Sequence, residues 1–275
     1  MRINSIIIAI FSVCALQSGA QTFTREYEAL VDSAYDCIKT EKWAQAEEFL
    51  IKALRSEPAN KSNYLLWANL GMTRNNKGDD KGALEAYDIG LAMAPKSTSL
   101  LIGRARTHIA MQRPEEALKD LDLALEVDST LEKARKFRCF ALVETGQIDV
   151  ALKDINYYET IFGKDPFVSR IKADAHMALN DPEKATESLK DVYDLTHERE
   201  DALSLLSVIA LYGNVEQYGG YINDLIKKFP NDGNMYLFRA ALNKSRFQIE
   251  SAESDLKRAE SLGYDKSIKD ILQIQ

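Results

Sequence analysis

Apolar residues along most of this chain fall three and four positions apart, the spacing that gathers them onto one face of an α-helix. One run reads Ala46, Leu50 and Ala53, and another Ala83 and Tyr87. Ala117, Leu121 and Ala124 follow, then Ala151, Ile155 and Tyr158, then Ala185, Leu189 and Val192, and later Ala252, Leu256 and Ala259. Each run opens with alanine in a similar local context. The first interval between these alanines is 37 residues and the next three are 34 each. A fixed period of that length in a helical sequence predicts an all-α solenoid of antiparallel helix pairs.

The second unit carries the fullest pattern: Trp67, Leu70 and Gly71, then Gly78, Ala83, Tyr87 and Pro95. This resembles the tetratricopeptide repeat, W-x2-L-G … A-x3-F/Y … P, and the resemblance extends over nearly the whole chain beyond residue 20. It implies a right-handed superhelix whose first helices line a concave groove. HEAT-type pairs have a longer period, about 40 residues or more. Gly71 is expected to let the second helix approach closely, with Ala83 answering it and Tyr87 filling the gap one turn later.

The expected units are 27–60, 64–97, 98–131, 132–165, 166–198, 199–232 and 233–263, with 264–275 as a C-terminal capping helix. Pro114 and Pro182 suit first helical positions, and Asp181 suits the cap before the latter. The sixth unit strains the pattern. Counting back from Pro230 puts Tyr218 at the small site, whereas the rhythm from Ala185 points to Gly219. Gly219 and Gly220 inside a helix would cost about 1 kcal/mol each relative to alanine, so a local defect is expected there.

The N-terminus is set apart from the array. Arg2 precedes an apolar run over residues 6–16, and Ser18, Gly19 and Ala20 then precede Gln21. This reads as a signal peptide, 1–20, cut after Ala20, and implies an exported, periplasmic protein. The run is too short to span a bilayer, which takes about 20 residues. Acylation at Cys14, which would make a lipoprotein, is the lesser alternative because bulky Val13 precedes it. Cys37 and Cys139 lie three units apart, about 30 Å at a layer spacing of about 10 Å, too far for a disulfide. Both are expected to be small buried hydrophobes.

Charge and motifs narrow the function. The net charge is −7, and the acidic balance has no basic run, so nucleic acid is not the expected partner. No phosphate-cradling, dinucleotide, nucleophile-elbow or H-E-x-x-H motif occurs. His108 and His176 are two units apart and cannot share a metal, so no cofactor and no catalysis are expected. Acidic pairs such as Glu115 and Glu116 suit helix N-termini.

The family resemblance instead places a partner-binding groove on the first helices. It assigns Tyr35, Met72, Asn75 and Asn76, then Arg106, Lys133, Lys136 and Phe140, then Arg170, Asp174 and Met177. Arg106, Lys133, Lys136 and Arg170 form the expected cationic cluster, suited to a protein or peptide segment with acidic and apolar residues. Val31 and Ala68 stand where the carboxylate-gripping set of chaperone-binding relatives needs polar groups. Two functions stay open: a non-catalytic binding scaffold in the cell envelope, or an architectural subunit of an envelope or outer-membrane complex.

Overall fold

The computed structural model describes residues 23–212 and 218–272. The expected signal peptide, Cys14 and Gln21 lie outside them, as do 213–217 and the last three residues. Fifteen α-helices and no strand occur among the described residues. They fall into two compact units, residues 1–145 and 146–275.

The first unit holds α1 (Arg25–Lys39), α2 (Trp43–Ser56), α3 (Asn63–Asn76), α4 (Asp80–Met93), α5 (Thr98–Ala110), α6 (Pro114–Val127) and α7 (Glu132–Glu144). Each helix packs on its successor, and α3 also meets α5, and α5 meets α7. The odd-numbered helices therefore form one layer and the even-numbered ones another. The second unit holds α8 (Ile148–Phe162), α9 (Pro166–Ala178), α10 (Pro182–Thr196), α11 (Arg199–Tyr212), α12 (Gly219–Lys228), α13 (Gly233–Ser245), α14 (Ile249–Leu262) and α15 (Lys266–Ile271). Here α11 meets α13 within the first-helix layer, and α15 covers both.

The alanine series supplies the close contacts. Ala46, Ala83 and Ala117 of the first unit are 0 % exposed, as are Ala151 and Ala185 of the second. A methyl group there leaves helix axes near enough for the larger Leu50, Tyr87, Leu121 and Ile155 to fill the space beside them. Cys37 and Cys139 are both buried, as small hydrophobes are. Helix starts are fixed locally: the Asp165 carboxylate accepts from the backbone N–H of Phe167 and Val168, and Asp181 from that of Lys184, each followed by proline at the first helical position.

Tyr87 fills the gap beside Gly71: a Cβ on Gly71 would lie 2.6 Å from its ring. Gly103, on the next first helix, stands at the same 2.6 Å from that ring. Tyr87 is thus a wedge between two glycines of successive first helices, and it is 2 % exposed. One expectation is corrected, at the sixth pair. Gly219 and Gly220 open α12 and do not interrupt it, so the helix starts late and has 10 residues. Gly219 is the small site, buried beneath Leu242 of α13 and Arg246 just after it. The 34-residue rhythm from Ala185 locates it, and the count from Pro230 does not.

The wedge makes Gly103→Ala a sharp probe. Alanine is worth about 1 kcal/mol over glycine inside a helix, yet the added methyl must displace a buried ring at about 1–3 kcal/mol. Net destabilisation is expected in chemical denaturation, relieved when Tyr87→Leu is added. Stabilisation by Gly103→Ala alone would remove Tyr87 as the wedge.

Candidate functional site

Several cations among the described residues are consumed internally. Arg104 on α5 donates Nε and Nη2 to the two Asp120 carboxylate oxygens at 2.8 and 2.6 Å, and Nη1 to Asp88 at 2.7 Å. It ties α5 to its own second helix and to the preceding one, and the Asp120 hydrogen bond is the main reason its pKa is raised. Arg138, 34 residues later, donates to Asp122 at 2.6 Å. Arg239 repeats the device in the second unit, with Asp255 at 2.9 and 2.6 Å. The partly buried bidentate pairs of Arg104 and Arg239 fix register between helices.

The first-helix face of the first unit is different. A cleft of about 190 Å³ is floored by Ala68 and Met72 of α3, Ile102 and Gly103 of α5, and the Tyr87 ring, with Arg106 and Lys133 beside it. Neither of these cations makes an ion pair or hydrogen bond among the described residues. Tyr87 accepts from Asn75 Nδ2 at 3.4 Å, and its pKa is pushed up to about 12 by burial, against the pull of the Arg106 charge. The cleft falls below the roughly 300–1,000 Å³ of sites that enclose small molecules, so it suits a side chain and not a cofactor.

The expected groove residues divide accordingly. Met72, Arg106 and Lys133 share the cleft. Met72 is 5 % exposed, a floor and not a protruding contact. Asn75 is turned inward, donating to Thr107 at 2.8 Å, and Asn76 donates to the Met72 carbonyl of its own helix at 2.8 Å. Tyr35 is exposed on α1, and Lys136 and Phe140 are half-buried on α7, none of them lining the cleft. In the second unit Arg170 donates to Asp201 at 2.6 Å, so it straps α9 to α11 and is not a free cation. Asp174 is exposed, and Met177 packs against the core of that unit. Thr98, Ser99 and Gly103 line the cleft without having been expected there. Their one sequence signal is position: they sit one and two turns before Arg106 on the same helix.

No group of three metal-ligating side chains occurs among the described residues. No helix among them is long and apolar enough to cross a membrane.

The geometry matches that of solved helical-repeat structures. A tetratricopeptide repeat protein from Parabacteroides merdae ATCC 43184 superposes with a TM-score of 0.63 at 24 % identity, covering 91 % of this chain and 98 % of that one. PilW, described as a widely conserved type IV pilus biogenesis factor, gives 0.63 at 19 % identity over 76 % of this chain and 96 % of its own. YrrB, described as a tetratricopeptide repeat protein with an unusual peptide-binding site, gives 0.55 at 19 % identity over 64 % and 89 %. No family model matches the sequence, and no curated protein matches it. The chain has the tetratricopeptide-repeat fold.

Two histidines with a buried ring nitrogen carry a pH signature. Nδ1 of His108 and of His176 is buried without a hydrogen-bond partner among the described residues. Burial lowers both pKa values; Asp120 and Glu116 oppose this at His108, as Asp181 and Glu187 do at His176, while Arg104, Arg113, Lys172 and Lys184 reinforce it. The fold therefore favours neutral imidazole. The unfolded chain protonates first, so this stabilisation is complete above about pH 6.5 and is lost as pH falls through the folded values. Burial pushes the Glu47 carboxyl up, but Lys77 and Arg74 outweigh it and hold it low, so its contribution is lost only at more acid pH. Denaturation between about pH 7 and pH 5 should show declining stability, and His176→Gln should flatten part of that slope. An unchanged slope in the variant would contradict it.

Proposed function

We propose that this chain is a non-catalytic scaffold of the cell envelope that holds a segment of a partner protein on its first-helix face. The observation that carries the reading is the cleft over α3 and α5. Its floor is apolar, it has the volume of a side chain, and two cations beside it have no internal counter-charge. On a chain of net charge −7, cations left unpaired next to an apolar floor favour a segment that combines an apolar side chain with carboxylates. First helices stacked about 10 Å apart match about three residues of extended chain, so a partner strand reaches Arg106 and Lys133 from one anchoring residue. Export to the periplasm rests on the pattern of the first 20 residues.

Charge reversal tests it. Arg106→Glu with Lys133→Glu should lower capture of a partner from the native envelope by about tenfold or more at low salt, with thermal unfolding unchanged. Lys119→Glu, an exposed site on α6, should leave capture intact. A folded double variant that recovers every wild-type partner would overturn the proposal.

A further inference from the structure

The turn between α13 and α14 places a phenylalanine where little favours one. Among the described residues, those at the corresponding turns adopt left-handed backbone: Glu41, Gly78, Gln112, Gly146 and Asn180, and here Phe247 at φ 58°. Glycine and asparagine tolerate that conformation, whereas a bulky side chain is strained in it. Phe247 gains little internally in return, being 89 % exposed, the most exposed of the large hydrophobic residues among the described ones. Ile249, two residues on, is 51 % exposed. Leu211 and Tyr212, at the same end of the neighbouring first helix α11, are 50 % and 55 % exposed. The turns of the first unit are polar at this edge, with Glu41 and Lys42, Lys77 and Asp79, and Gln112 and Arg113.

We propose that this end of the second unit docks peripherally on a lipid bilayer, with Phe247 and Ile249 entering the boundary between headgroups and acyl chains. These side chains stand out from a turn, so they are shaped to enter a soft medium and not to receive a partner strand. Together the four could bury roughly 400 Å², about half of the 800 Å² per partner typical of stable protein interfaces, which disfavours a second copy as the occupant. Lys244, on the same turn, is exposed and makes no ion pair among the described residues, leaving its ammonium for lipid phosphate. The nearby Glu250 is exposed and lines the polar groove of Arg239, Asn243 and Asp255. Tyr212 has the apolar body and polar tip of residues that settle at headgroup depth. No part of the α3–α5 cleft is involved, so the two proposals stand or fall separately.

The test is co-sedimentation of the purified chain with phosphatidylcholine vesicles, with and without phosphatidylglycerol, the N-terminus being identical in every variant. Phe247→Gly should be at least as stable as wild type, because glycine relieves the backbone, yet bind vesicles about tenfold less or worse. Lys244→Glu should weaken binding to phosphatidylglycerol vesicles and leave binding to phosphatidylcholine unchanged. Wild-type protein left in solution by both vesicles, or equal binding by Phe247→Gly, would overturn the proposal. A concentration-dependent dimer that Phe247→Gly abolishes would assign the patch to a second copy instead.

Discussion

Side-chain volume withheld at a few helix contacts governs this structure. Ala46, Ala83, Ala117, Ala151 and Ala185 are fully buried, and none could carry a larger group without separating the helices it joins. Gly71 and Gly103 go further by leaving room for the Tyr87 ring between them. That ring also floors the cleft, so the packing that stacks two layers is the packing that shapes the candidate site. Stability and recognition share one residue.

This constraint is why the fold was legible in the sequence. Close approach demands a small residue at a fixed place in every pair, and the run of alanines 34 residues apart from Ala83 to Ala185 records that demand directly. The sixth pair was read ambiguously because two markers disagreed there. The small site proved the more reliable, since Gly219 makes a contact, whereas Pro230 only follows the end of α12. The identity of the wedge partner was not legible. Gly103 faces Tyr87 across a layer boundary, and nothing in the spacing within one repeat reports that contact.

The candidate site was legible only in part, and electrostatics explains the shortfall. Helical phase puts Arg106, Lys133 and Arg170 on first helices alike, but it does not say which carboxylate reaches each one. Asp201, 31 residues away in sequence, takes Arg170, and Asp120 takes Arg104 across 16. Side chains of one kind on one type of helix thus separate into straps that hold layers together and cations left facing the cleft. Asn75 is a similar case, since its amide turns inward to Thr107 and Tyr87. Phe247 is the reverse: its exposure depends on a turn geometry that alternating apolar and polar positions do not encode.

The central claim is that a partner lies against the first-helix face at the α3–α5 cleft. Site-specific photocrosslinking in the native envelope tests it most directly, with a photoreactive residue at Ser99 on the cleft wall and, separately, at Lys119 on the second-helix layer. The account predicts one recurrent protein adduct from Ser99, diminished by Arg106→Glu, and none from Lys119. An adduct from Lys119 with none from Ser99 would contradict it and move the binding face to the second helices.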